Sequence, residues 1–334
     1  MFSDRLDLYN KIEELRGSKL LVYVTGNRPG LETQIAEDAL HMFSEHLDQI
    51  NHTEKISLFL YTLGGNTLTA WSLVNLIRSY CNQLEIIIPS SCFSSGTLIC
   101  LGANKLVMTK QASLGPIDPS VNGPLNPSIP GFADPNAKVP VSVEHVNAYL
   151  ELAQNQLGIK DQGCLTQLLI NLSNQIHPLT LGQVYKSRTQ IQMLARNLLK
   201  WQSLDKEKED SIISFLCSES GSHDYSIRRR EASEKLGLNI EKPTEELYLV
   251  IKKIFKNICE DIKLNEPYNP LMEIQKNGDR HDYCHIRGII DSVGYGSNIF
   301  ISKGTIIKQN VATPQGPQMM INDQRTSEGW EIDK

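Results

Sequence analysis

The sequence predicts an α/β fold with a mostly parallel sheet covered by helices. Three observations predict it. Short β-branched apolar runs alternate with stretches of helical period through the first third of the chain. Several of those runs are apolar at consecutive positions, as strands buried on both faces are. Turns rich in glycine and serine follow the runs, and alternating strands and helices require right-handed βαβ crossovers.

The elements follow in order. Residues 4–16 place Leu6, Tyr9, Ile12 and Leu15 at helical spacing. Lys19 to Thr25 is a short apolar run stopped by Gly26, which predicts a buried strand. Residues 32–50 return to helical spacing through Ile35, Leu40, Phe43 and Leu47. Ile56 to Leu63 predicts a strand that ends in a tight Gly64-Gly65 turn. Asn66 can cap the next helix, Thr67 to Tyr80, whose apolar face is Leu68, Trp71, Val74 and Ile77. The pattern then repeats: a strand over 84–89, a small-residue turn over 90–95, a short buried helix from Gly96 to Gly102, and a strand over 105–109.

Residues 111–142 change character and hold seven of the fifteen prolines. A long proline-rich stretch inside a compact domain is ordinarily functional or mobile. Helices are predicted over 143–158, 180–200, 228–238 and 244–262, with Gly237 stopping the third. The charge run Asp205 to Asp210 reads as a solvated helix end. Residues 286–308 form β-like runs divided by Gly294, Gly296 and Gly304.

Composition bounds the function. The chain has 334 residues, a formal net charge of −5, 40% hydrophobic and 21% charged residues. That is globular composition, and the acidic balance argues against a broad nucleic-acid surface. The Arg228-Arg229-Arg230 triplet precedes a helix and reads as a solvated face. Seven scattered cysteines without a C-x-x-C pair indicate neither a disulfide framework nor a zinc ribbon. The group His281, Asp282, Cys284 and His285 matches no standard zinc spacing, so no metal and no cofactor are expected. No run approaches the roughly 20 apolar residues that span a bilayer. With no apolar signal core at Met1 to Asp7, no integral membrane segment and a cytoplasmic location are expected.

Two turns carry the chemistry. Gly64-Gly65 and Ser94-Ser95-Gly96 each follow a predicted strand and open a helix, where open α/β sheets bind ligands. Adjacent glycines let backbone approach a substrate. A serine at such a turn, with unpaired N–H groups at the helix start, can supply a nucleophile and an oxyanion hole.

The stretch Leu60 to Ser120, LYTLGGNTLTAWSLVNLIR followed by LEIIIPSSCFSSGTLICLGANKLVMTKQASLGPIDPS, resembles the Clp/crotonase superfamily of serine peptidases. Within it the resemblance is to the serine dehydrogenase proteinase family. A second block, SHDYSIRRREASEKLGL at 222–238, resembles that family's His-Asp-Tyr segment. The resemblance implies a Clp/crotonase-like ββα superhelix over residues 1–243, with residues 244–334 as a small α+β appendage. It implies ATP-independent cleavage of peptide bonds in a peptide or protein substrate, and a homo-oligomer.

Carried over by motif, Ser94 of S-x-G-T matches the nucleophile. The Gly65 and Ser95 N–H groups match the oxyanion donors, with Gly64 and Asp118 beside the substrate. Ser90, Ser91 and Ser95 are rivals of Ser94. Leu63 stands where the family usually has proline before the glycine pair. The general base is left open. The expected histidine position holds Asp118, whose carboxylate is too acidic to be a good base at neutral pH without strong desolvation. Lys138 lies 44 residues after Ser94, the spacing of superfamily members with a Ser–Lys dyad. His177 and His223 are the other candidates. Two further readings compete: a crotonase-like acyl-CoA enzyme, which needs no serine nucleophile, and a non-catalytic binding or assembly protein that keeps the fold.

Overall fold

A computed structural model describes residues 1–118, 120–129, 134, 137–219, 222, 224–313 and 316–333. In chain order the elements begin α1 (Phe2–Arg16), β1 (Lys19–Thr25), α2 (Ala39–Ile50), β2 (Thr53–Tyr61), α3 (Thr67–Arg78) and β3 (Cys81–Ile88). The short pieces β4 (Ser91–Cys92), α4 (Ser95–Leu101), β5 (Lys105–Met108) and β6 (Ser113–Leu114) follow. Next come β7 (Ser120–Val121), β8 (Val141–Ser142), α5 (Val143–Glu151), α6 (Gln162–Gln175), α7 (Pro178–Leu199) and α8 (Lys206–Ser214). The last third holds β9 (Ile227–Arg228), α9 (Arg229–Glu234), β10 (Ile240–Glu241), α10 (Glu245–Asp261) and α11 (Pro270–Asn277). The chain closes with β11 (Arg280–Ser292), β12 (Gly296–Thr313) and β13 (Gly316–Ile332).

The chain divides into two compact units, Met1–Leu114 with Ile227–Lys334, and Gly115–Ser226. The first is built on an eight-stranded sheet in the order β10-β5-β3-β2-β1-β11-β12-β13. Strands β10, β5, β3, β2 and β1 are parallel, and β11 to β13 continue the sheet antiparallel. This is the α/β class with a mostly parallel, helix-covered sheet that the sequence predicts. The C-terminal segment is not set apart, however. It supplies three strands and two helices to the main unit, and a division at 243/244 cuts through that unit.

Both faces of the parallel strands are covered, which explains their unbroken apolar runs. On one face Tyr9 and Ile12 of α1 and Ile251, Ile254 and Ile258 of α10 pack on Val22, Val24 and Phe59. On the other, Tyr23 meets Phe43 of α2 edge to face at 5.0 Å. Arg5 is buried at the α1 end of this core, where it pairs with Asp261 and Asp291 while Tyr9 Oη donates to Asp291.

One expected helix starts late. Residues 32–38 are not helical, and α2 begins at Ala39. Ile35 instead pairs in extended form with Gly65: its N–H donates to Gly64 O at 2.9 Å, and its carbonyl accepts from Asn66 N–H at 2.8 Å. Ile35 is therefore buried for a reason other than helical period.

In the second unit β7 and β8 pair antiparallel, and Val121, Val141, Val143, Val146 and Val184 form a small core beneath α5 and α7. Asp161 caps α6 through Cys164 N–H, and Asp205 caps α8 through Lys208 N–H. Among the described residues no helix is long and apolar enough to cross a membrane.

Candidate active site

The two turns singled out in the sequence stand side by side. Thr62, the last pairing residue after β2, bridges to Cys92 of β4. Its N–H donates to Ser91 O at 3.2 Å, and its carbonyl accepts from Phe93 N–H at 3.0 Å. This pairing brings the Gly64-Gly65 turn beside the Ser94-Ser95-Gly96 turn at the carboxyl ends of parallel strands. A Cβ added to Gly64 would lie 3.2 Å from Ser94 Oγ and 2.7 Å from Ser94 Cβ. Gly64 has φ +114° and Gly65 +146°, values that L side chains rarely adopt.

Each residue of the S-x-G-T motif has a local job. Ser94 precedes α4 with φ 52° and ψ −118°, a conformation that costs a non-glycine residue on the order of 1–3 kcal/mol. Such strain persists only where the surroundings over-determine it. Ser95 is buried, and its hydroxyl donates to Gly65 O at 2.6 Å. Gly96 leaves no room for a side chain, since a Cβ would meet Thr62 Cγ2 at 2.4 Å. The Thr97 hydroxyl donates to Cys92 O at 3.0 Å and pins the helix to the strand that precedes it.

The rivals of Ser94 are placed as follows. The Ser95 hydroxyl is engaged, and Ser91 lies within β4. Ser90 precedes that strand and accepts from Ser113 N–H through its carbonyl. Ser94 is half-buried, and its hydroxyl has no intramolecular partner among the described residues. The Gly65 and Ser95 N–H groups likewise have no acceptor there. The nearby thiols are not competing nucleophiles. Cys92 and Cys100 are buried with Sγ atoms 3.5 Å apart, and burial pushes the Cys92 thiol well above its ordinary value.

Thr62 is a member of the site that sequence reasoning passed over. It is fully buried, its hydroxyl accepts from Gly64 N–H at 3.0 Å, and Thr25 Oγ1 donates to it at 2.7 Å. The signal for it was a β-branched hydroxyl residue two positions before a glycine pair.

The candidate bases stand as follows. Lys138 belongs to the second unit, where its Nζ donates to Ser128 Oγ at 2.9 Å. His177 is exposed and caps α7, its Nδ1 accepting from Leu179 N–H at 3.2 Å. His223 lies outside the described residues. Asp118 lines a cavity of about 360 Å³ within the second unit, together with Ser120, Glu144 and Cys217. Burial pushes the Glu144 carboxyl there above its ordinary value. His285 of the C-terminal His/Cys group is buried and stacked on Tyr283 at 4.8 Å, a core placement.

Fold and turns together define an α/β chain with a serine turn and a glycine-pair turn side by side at the carboxyl ends of its parallel strands. Residues 43–137 match the family model described as ClpP-like SDH-type serine proteinase, which bears out the resemblance read from the sequence. Two proteins of Methanocaldococcus jannaschii, both uncharacterized, are similar. One is 27% identical over 60% of this chain and 58% of its own length, the other 25% identical over 58% and 55%. The chain thus spans just over half the length of the curated relatives it matches. Two solved structures of the 1510-N membrane-bound stomatin-specific protease are also similar. The serine-to-alanine variant has a TM-score of 0.40 and 17% identity, covering 64% of this chain and 78% of that one. The lysine-to-alanine variant, in complex with a substrate peptide, has a TM-score of 0.39 and 16% identity, covering 65% and 74%.

Proposed function

We propose that the chain is an ATP-independent serine peptidase that acts through Ser94 on a peptide or protein substrate. The observation that carries this reading is the apposition of a strained serine and two N–H groups, with no partner for its hydroxyl and no acceptor for the N–H groups among the described residues. The match of residues 43–137 to a serine proteinase family supports it.

Ser94 Oγ attacks the peptide carbonyl carbon, and its proton passes to a base. The Gly65 and Ser95 N–H groups receive the developing oxyanion, where each such donor is worth about a hundredfold or more in rate. Collapse expels the amine with the proton returned, and water then hydrolyses the acyl-enzyme. The base is drawn from Lys138, His177 and His223. Lys138 is favoured by its spacing from Ser94, and a lysine serves as base when burial or a cationic neighbour lowers its pKa.

A fluorophosphonate probe tests the reading. Wild-type protein labels at one serine, and labelling and peptide cleavage both disappear in Ser94→Ala. Equal labelling of the two proteins would refute Ser94 as nucleophile.

A further inference from the structure

A second cavity, of about 310 Å³, lies within the first unit, between the 25–38 segment and the C-terminal strands. That size is at the low end for small-ligand sites. We propose that it binds the side chain of a basic residue, arginine or lysine, presented by a peptide.

The walls are fixed by a buried arginine. Arg287 sits at the bulge of β11, and its guanidinium donates to Leu31 O at 2.9 Å, to Ser302 Oγ at 2.8 Å, to Glu32 O and to Glu328. These bonds staple the 31–32 backbone to the sheet, so the cavity exists before a ligand arrives. Gly288 matters for the same reason. A Cβ there would press on Phe300 Cβ at 3.3 Å and on the Trp330 ring at 3.4 Å. The bare backbone lets Trp330 lie across β11 and meet Phe300 at 5.4 Å and 70°, forming an aromatic corner.

The charge of the lining selects a cation. Three carboxylate residues, Glu32, Asp38 and Glu328, line the cavity with one cationic residue, Arg287. Glu328 is already engaged by Arg287 and, from outside the cavity, by Arg325 at 2.6 Å. Asp38 is the telling residue. It occupies the N-cap of α2, where a carboxylate ordinarily accepts a helix N–H, yet it makes no cap bond and lines the cavity. A cavity lined by carboxylates and aromatic rings suits an ammonium or guanidinium group.

A peptide presents the basic side chain without a free carboxylate beside it. A free amino acid carries a carboxylate that the acidic lining opposes.

The cavity is joined to the Ser94 turns by backbone. Its wall residues Thr33, Gln34 and Ala36 flank Ile35, which pairs with Gly65, and its Thr25 donates to Thr62. The inference takes only the peptide origin of the residue from the peptidase reading, and its test is binding without turnover.

The experiment titrates Ser94→Ala protein with Nα-acetyl-arginine methylamide, with the uncharged citrulline analogue and with free arginine. Calorimetry and tryptophan fluorescence follow binding. The arginine methylamide binds and changes the fluorescence, while the citrulline analogue and free arginine bind at least about tenfold more weakly. Asp38→Asn, at an exposed position that leaves folding intact, weakens the arginine methylamide about tenfold, and Trp330→Phe removes the fluorescence change. Equal binding of the citrulline analogue, or undiminished affinity in folded Asp38→Asn protein, overturns the proposal. Tighter binding of free arginine overturns the peptide source.

Discussion

The Ser95 hydroxyl donates to the Gly65 carbonyl at 2.6 Å, tying together two turns that are 30 residues apart in the chain. The two N–H groups proposed as oxyanion donors belong to these same residues, so this hydrogen bond holds their backbones together. Ser95→Ala leaves Gly65 O unsatisfied beside a buried site, which costs about 1–2 kcal/mol of stability. Peptide cleavage falls about tenfold or more in kcat with KM little changed, because the loss is of transition-state placement. Fluorophosphonate labelling persists at a reduced rate. Unchanged kcat in a folded Ser95→Ala protein would show that the tie does not position the donors.

The two glycines of the first turn separate fold from chemistry. A Cβ on Gly65 would stand 2.3 Å from Ile35 O, against rigid backbone and at φ +146°. Gly65→Ala is therefore expected to destabilise by about 3 kcal/mol or more through strain and loss of the Ile35 pairing. A Cβ on Gly64 meets the Ser94 side chain instead. Gly64→Ala strains the turn as well, at φ +114°, but it displaces the serine, so activity falls further than thermal stability does. Thermal unfolding and cleavage assays on the two variants measure the contrast, which is absent if both lose stability and activity in proportion.

Much of this site is legible in the sequence because each motif residue meets a local requirement. Gly96 is dictated by the approach of Thr62, and Thr97 by a bond to Cys92 five residues back. The base is not legible, since it depends on where a distant segment lies. Strands β1 to β3 could be read because burial on both faces leaves apolar runs, and Asn66 because it caps α3 through Thr69 N–H at 2.9 Å. Ile35 was misread because a residue buried by extended pairing falls by chance on the period of the helix that follows. Gly304 reads as a strand break, yet it lies within β12, where a Cβ would meet Tyr283 Oη at 2.5 Å. Its reason is a cross-strand neighbour that no local pattern records.

His46 makes stability depend on pH in the mildly acid range, between about 6.5 and 4. It is fully buried in α2, donating from Nε2 to Asn298 Oδ1 at 2.9 Å and accepting at Nδ1 from the Ser292 hydroxyl at 2.7 Å. Burial pushes its pKa from 6.5 down to about 4. The unfolded chain thus takes up the proton first as pH falls. The stability contributed by the neutral ring is fully present above pH 6.5 and is lost down to about pH 4, on the order of 3 kcal/mol. His285, lowered to about 4 by burial and by Arg28, acts in the same window. Denaturant unfolding between pH 7 and 4 should show a steep decline in wild type and a shallower one in His46→Gln. Parallel profiles would exclude His46 as a source.

A second acid-sensitive element lies lower on the pH scale and can be told apart by its window. Arg16 at the end of α1 bridges Glu85 of β3 and Glu241 of β10, joining a helix to two parallel strands. The hydrogen bonds from Arg16, outweighing burial, with help from Lys105, hold the Glu241 carboxyl down at about 2. Glu85 is fully within the sheet. Burial pushes its pKa up, but Arg16, Ser57 and Lys55 bring it below the ordinary value. Both carboxylates have folded-state pKa values below the unfolded 4.5. Their contribution is present above pH 4.5 and is lost as pH falls toward 2. Glu241 is substantially solvated, so its share is small beside that of buried Glu85. Arg16→Met removes the shared partner and leaves Glu85 with Lys55 alone among cations, which is costly at neutral pH because a buried carboxylate loses most of its compensation. The same variant loses less further stability between pH 4.5 and 2, since its carboxylates already titrate nearer their unfolded values. Urea midpoints of wild type and Arg16→Met should converge as pH falls through this range, and a constant gap would place the role of Arg16 in packing instead of charge.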